Sequence, residues 1–259
     1  MILIGEKLNS SIPRTRKALE TRDEETILRL IAAQVEAGAT YLDLNTALLG
    51  QGETDAMQWL LGLVLGHNDC GVMLDSPNPA VVQDTIGAVG DRPVIVNSVT
   101  LCERMDELLP TVRDTGAGVV ALPIDTAGVP ADARRRADNC HRLVERITAA
   151  GVPADRVYLD VLAQAVAMDG GSAVAALETL RLVRAELPGV HTICGLSNVS
   201  FGLPKRAMMN NALLVAAIAA GMDSVILDPT NASTMDALVA AEALVGRDEY
   251  CMDYLTRFR

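Results

Sequence analysis

Eight short runs of Val, Ile and Leu recur along the chain, most of them ending in a polar residue and each followed by a longer amphipathic stretch. The runs are LIGE (3–6), YLDLN (41–45), VMLD (72–75), VIVN (94–97), VVAL (119–122), VYLD (157–160), TICGLSN (192–198) and SVILD (224–228). Their spacing leaves room in each unit for a strand, a helix and two turns. In 131–150, Ala137, Cys140, Val144 and Ile147 step by three and four, as one face of a helix does. Gly38, Gly116, Gly151 and Gly221 close predicted helices, where glycine suits the left-handed cap. Pro153 and Pro188 fall just past helix ends, as stop signals.

Strands that are apolar almost throughout need cover on both faces, which argues for a parallel sheet. Eight strand–helix units in 259 residues predict an α/β fold, a (β/α)8 TIM barrel, with one domain over 1–259. An open doubly wound sheet is the alternative. The GxGxxG and GxxxxGK[ST] motifs that mark its phosphate sites do not occur.

Composition narrows the function classes. At 50% hydrophobic and 21% charged residues the chain has a globular composition. Lys plus Arg is 22 against 33 Asp plus Glu, and the net charge of −11 leaves no electrostatic footprint for nucleic acid. The one basic cluster, Arg134, Arg135 and Arg136, reads as the solvated face of a helix. The longest apolar stretch, Ala212 to Ala220, is about half of the ~20 residues a membrane span needs. The N-terminal MILIGEKLNSS lacks the basic lead of a signal peptide. The 5 cysteines are odd in number and form no CxxC pair, so neither a disulfide framework nor a zinc knuckle is expected. These features predict a reduced, cytoplasmic protein with neither membrane nor nucleic acid as partner.

In a barrel the site lies at the C-terminal strand ends. Those ends carry Glu6 with Asn9, Asp43 with Asn45, Asp75, Asn97, Asp160, Asn198 and Asp228. Groups of this kind do not sit in a buried strand without partners. They are expected to form a hydrogen-bonding ring around the mouth, although Asp and Asn also cap the next helix and need no ligand for that. The 3 histidines, His67, His141 and His191, fall away from these edges, and no HExxH or Ser/His/Asp pattern occurs, so a catalytic metal is not expected. A ring of Asp and Asn suits a neutral heterocycle with alternating donors and acceptors: a carboxylate accepts two N–H bonds from an amidine-like edge, and a carboxamide offers one donor and one acceptor group. A pterin, a purine or a pyrimidine would each fit.

More specific motifs follow the strands: GEKLN, LDLN, DAMQWL, LDS, VNS, YLD and GLSNVSFG, running from Met1 to the YCMDYLTRF stretch. With them the chain resembles the methyltetrahydrofolate:corrinoid methyltransferases, pterin-binding barrels related to dihydropteroate synthase and to the folate domain of cobalamin-dependent methionine synthase. The resemblance implies that Asp75, Asn97 and Asp160 hold the pterin and that Gly195 and Ser197 lie against the folate. It implies that Asn198 is the catalytic residue at N5 and that Glu6 and Asn9 line the pocket. It also implies tetrahydrofolate or 5-methyltetrahydrofolate as substrate, and a homodimer.

The chain is too short for methionine synthase's further modules and lacks DxHxxG, so the corrinoid is expected on a separate protein. Phe201 after NVS matches the methionine synthase pattern, whereas the corrinoid/iron–sulfur branch carries glutamine there. Transfer from a methylated corrinoid protein to tetrahydrofolate in a demethylating pathway is the preferred direction, with the acetyl-CoA route as the alternative. Dihydropteroate synthase is a rival, but NSSIPRT replaces its NxTPDSF-type loop and the basic pyrophosphate pattern is missing. A non-catalytic folate carrier or corrinoid-protein scaffold is another. Arg206 could meet the glutamate tail of folate or an acidic partner.

Overall fold

The computed structural model describes residues 1–102 and 104–259. Eight parallel strands lie in the order β7-β6-β5-β4-β3-β2-β1-β8. They are β1 (Ile2–Asn9), β2 (Tyr41–Asn45), β3 (Gly71–Asp75), β4 (Val94–Val99), β5 (Gly118–Ala121), β6 (Val157–Asp160), β7 (His191–Ile193) and β8 (Ser224–Leu227). Between β7 and β8 the Ile226 N–H donates to the Cys194 carbonyl at 3.0 Å, and Gly195 bridges Ile226. The sheet therefore curls into a nearly closed (β/α)8 barrel, the predicted fold, rather than an open one.

Alternation along each strand sorts the side chains. One set, Ile4, Met73, Ile95, Val120, Tyr158 and Ile193, forms the core inside the barrel. The intervening residues, among them Leu42, Leu44, Val72, Leu74, Val96, Val119 and Leu159, pack outward against the helices. Leu3, Val225 and Leu227 do the same on the β8–β1 side. Both faces of the strands are apolar because both are buried.

The helices are α1 (Pro13–Glu20), α2 (Glu24–Glu36), α3 (Glu53–His67), α4 (Pro79–Ile86), α5 (Arg104–Thr115), α6 (Ala133–Ala149), α7 (Ser172–Glu186), α8 (Arg206–Ala219), α9 (Ala232–Leu244) and α10 (Met252–Phe258). Gly38, Gly116, Gly151 and Gly221 take positive φ just beyond helix ends, as their position predicts. The N-caps whose side chains accept helix N–H bonds are Asp23, Asn78, Asp132 and Asn231. None of these belongs to the ring at the strand ends, where Asn9, Asn45, Asp160 and Asp228 instead each accept the backbone N–H two residues on.

Three expectations need correction. The run 192–198 is not one strand: β7 ends at Ile193, and Leu196–Ser200 forms a 3-10 turn. Polar Ser197 and Asn198 leave the sheet because the Asn198 N–H turns back to the Gly195 carbonyl at 3.2 Å. β1 is longer than predicted, reaching Asn9, and its pairing with β2 slips between Gly5 and Leu8. The arginine cluster is not one solvated face. Arg134 and Arg135 are exposed, but Arg136 is 1% exposed. Successive helix positions are separated by about 100°, and Arg136 falls on the buried stripe of Ala133, Ala137, Cys140 and Leu143.

Candidate active site

The polar ring follows from strand parity. Glu6, Asp75, Asn97, Asp160 and Asp228 each stand two positions beyond an inward apolar residue, Ile4, Met73, Ile95, Tyr158 and Ile226 respectively. Side chains two apart on a strand share a face, so these groups form the top layer of the barrel interior. On β2, inward Tyr41 is followed by Asp43 and then Asn45. Asn45 pairs in register with Asp75, and Asp75 with Asn97.

Hydrogen bonds fix part of this layer. The Leu48 N–H donates to Ser10 Oγ at 3.1 Å, Ser10 Oγ donates to Asn45 Oδ1 at 2.9 Å, and Asn45 Nδ2 donates to Asp75 Oδ2 at 2.8 Å. This relay sets the Asp75 carboxylate, whose other oxygen has no hydrogen bond among the described residues. Asp160 Oδ1 accepts the Leu162 N–H at 2.7 Å, with Leu162 held at φ 56°. Ser197 Oγ donates to Glu6 Oε1 at 2.6 Å, joining the β7 turn to β1.

A cavity of about 670 Å³ opens on the β7–β8–β1 side of the mouth. It gathers Glu6, Asn9, Ser197 and Asn198 of the sequence-predicted residues, together with Lys7, Phe201, Arg206, Asn210 and Asp228. Asp75, Asn97 and Asp160 stand on β3, β4 and β6, outside that lining, and Gly195 is outside it too. A Cβ at Gly195 would come within 2.9 Å of Asn198 Nδ2. Glycine at this position therefore leaves room for the Asn198 carboxamide.

Lys7 is the residue strand alternation hides. Gly5 faces α2, where a Cβ would strike Gln34, and Leu8 packs in the outer core. The slip between them turns both Glu6 and Lys7 to the cavity, as a bulge with two residues opposite one does. Lys7 Nζ pairs with Asp228 Oδ2 at 2.9 Å. Only an irregular pairing, invisible in the residue pattern, brings it there. Arg206 is turned to the loop rather than outward, donating to Ser200 Oγ at 3.0 Å and to the Ser197 carbonyl at 2.6 Å. It braces the turn that presents Asn198.

Burial in a low-polarity mouth moves the pKa values of its acids. Burial raises the Glu6 carboxyl, partly offset by the Ser197 hydroxyl, with Asp228 pushing further upward. Burial raises Asp75 against the opposing Asn45 bond and Arg104 charge. Asp160 is pushed up to about 6 by desolvation, although the Leu162 N–H and the Arg136 charge pull it down. Such shifts concentrate where charge is handled. Among the described residues no group of three or more His, Cys, Asp or Glu side chains is placed to hold a metal ion, and no helix is long and apolar enough to cross a membrane.

Comparison with known proteins agrees with the geometry. The pterin binding enzyme family matches residues 5–228. A methylcorrinoid:tetrahydrofolate methyltransferase of Eubacterium limosum is 34% identical over 100% of this chain and 96% of its own length. The methionine synthase of Mycobacterium tuberculosis is 29% identical over 96% of this chain, which corresponds to 22% of that larger protein. Among solved structures, dihydropteroate synthase from Xanthomonas albilineans with 4-aminobenzoic acid superposes with a TM-score of 0.72 over 95% of this chain and 92% of that one. Its 20% identity speaks for the fold alone.

Proposed function

The chain belongs to the pterin-binding enzyme family, and from that premise we propose that it moves a methyl group between a corrinoid and N5 of tetrahydrofolate. The observation that carries this reading is the full-length likeness to the methylcorrinoid:tetrahydrofolate methyltransferase. Transfer runs from methylcorrinoid to tetrahydrofolate, and the corrinoid is carried by a separate protein. Exposed apolar side chains on connections leaving the C-terminal strand ends support docking there: Leu48 after β2, Met168 (86% exposed) after β6 and Phe201 (68% exposed) after β7. Five free cysteines fit a reduced cytoplasmic setting. The protein is a homodimer in solution, and sedimentation velocity tests this by returning either about twice the 27.4 kDa chain mass or the monomer mass.

The ring chemistry suits a reduced pterin. Asp160 and Asp75 offer carboxylate oxygens to the donors of the amidine-like edge, and Asn97 offers one donor and one acceptor group beside them. The methylcorrinoid, a substrate brought to the mouth, supplies the methyl group and keeps the electron pair of the bond that breaks. N5 attacks with its lone pair, gains positive charge and then sheds a proton. Asn198 answers that change with a neutral carboxamide. Its oxygen accepts from N5–H as charge builds, and in the reverse direction the same oxygen holds the proton that N5 must carry before the methyl departs. A dipole held in place stabilises the transition state without binding one ground state too tightly. The barrel's remaining contribution is to hold N5 in line with the methyl group, an alignment that can be worth ~7–11 kcal/mol.

The Asp160 carboxyl gives a pH test. The ionised form accepts the two ring N–H bonds, so folate affinity is flat above about pH 6. Below that pH the proton competes with the ligand, and affinity falls by up to about tenfold per pH unit. Asp75, also raised, adds to the same limb. Titration calorimetry from pH 5 to pH 8 reads it directly. Asp160→Asn binds more weakly at pH 8 and loses most of the limb. An unchanged limb in that variant would remove Asp160 from the ring contact.

A further inference from the structure

Asp43 differs from every other acid of the mouth. It is inward on β2, two positions beyond inward Tyr41, and pairs in register with Met73. It is 2% exposed, and its Oδ1 is buried without a hydrogen-bond partner among the described residues. The Asn9 side chain is the hydrogen-bonding group set against the carboxyl, and the charged neighbours that bear on it are Asp75 and Glu6, both acidic. No cation pairs with it among the described residues. A buried carboxylate with acids for neighbours and no counter-charge among the described residues is a costly arrangement, and an orphaned oxygen there adds to the cost.

Resting on the methyltransferase reading, we propose that Asp43 is part of the pterin site: a neutral carboxyl whose O–H donates to an acceptor of the bound ring or to one water fixed against it. A carboxylic acid in this place does what Asp75 and Asp160 cannot. Those two accept from ring N–H groups, whereas a neutral acid donates to the ring's carbonyl or imine-type acceptors. Burial, the largest cause, and the Asp75 and Glu6 charges keep the proton in place by raising the Asp43 pKa well above the ordinary value, and the Asn9 bond opposes them. A buried donor with no partner in the free protein is a stability cost that bound ligand removes. The ring thereby meets a donor as well as carboxylate acceptors, and ring systems lacking the acceptor are rejected.

The experiment compares wild type, Asp43→Asn and Asp43→Leu. For each, the 5-methyltetrahydrofolate affinity is measured by calorimetry, the melting temperature is recorded, and the infrared carbonyl stretch of a protonated carboxyl is followed. Asn keeps a neutral donor and is expected to bind within about threefold of wild type. Leu fills similar volume without a donor and is expected to bind roughly 10–100-fold more weakly while melting at or above the wild-type temperature. The protonated-carboxyl band is present in wild type and missing in Asp43→Asn. A merely structural Asp43 would instead lower the melting temperature and leave affinity intact. Leu binding as tightly as wild type, Asn failing as badly as Leu, or absence of the band would overturn the proposal. Wild type that binds no folate at all would overturn the methyltransferase reading on which it rests, a result separable from the other three.

Discussion

Replacing Asn198 by alanine is expected to lower the rate of methyl transfer about 10²–10³-fold, some 2.7–4 kcal/mol of transition-state stabilisation, while folate affinity changes only a few-fold. The split follows from where the residue stands. Asn198 is exposed on the turn after β7, lines the cavity, and is outside the layer of Asp75, Asn97 and Asp160 on β3, β4 and β6. Its carboxamide is called upon when charge moves at N5, and an interaction made mainly in the transition state costs kcat rather than binding. Single-turnover rates at saturating folate, with a separate binding titration, distinguish the two effects. Loss of affinity equal to the loss of rate would make Asn198 a binding residue and leave the step at N5 without a positioned dipole.

Arg136→Ala is expected to destabilise the fold by roughly 3–5 kcal/mol, whereas Arg135→Ala, one position earlier, costs about 1 kcal/mol or less. Arg136 donates from Nε to the Pro130 carbonyl at 2.8 Å, from Nη1 to the Val161 and Leu162 carbonyls at 3.2 and 3.1 Å, and from Nη2 to Gln164 Oε1 at 3.2 Å. Truncation leaves those buried acceptors without donors and opens a cavity under the loop after β6. The same loop supplies the Leu162 N–H that holds Asp160, so folate binding weakens along with stability. Arg135 makes a surface pair with Asp125 at 3.2 Å, which solvent screens. Urea midpoints of the two variants, run side by side, check the contrast. Equal midpoints would contradict the buried brace.

The barrel was legible because its signal is redundant. Each β/α unit repeats an apolar run and a helical face, and Gly38, Gly116, Gly151 and Gly221 mark helix ends in agreement with both. The polar ring was legible for the same reason, since Asp75, Asn97, Asp160 and Asp228 keep the parity of the apolar residues two places earlier. What escaped the sequence depends on departures from regularity. Lys7 reaches the cavity only through the slip in β1. Arg136 lies on the apolar stripe of α6, where the spacing from Ala133 to Cys140 does reveal it once charge is not taken to mean exposure. That Asp43 is left without a hydrogen-bond partner for Oδ1 depends on side chains from other strands, which one strand's pattern does not contain. The room that Gly195 leaves for Asn198 is a contact across a turn.

The central claim is that this barrel moves a methyl group between folate and corrinoid, and anaerobic incubation with 5-methyltetrahydrofolate and cob(I)alamin tests it most directly. The visible spectrum reports the cobalt state, and the Asn198→Ala protein runs alongside. The account predicts conversion to methylcobalamin with wild type and a rate lower by two to three orders of magnitude with the variant. An unchanged cobalamin spectrum, with 5-methyltetrahydrofolate bound and the protein folded, would contradict it.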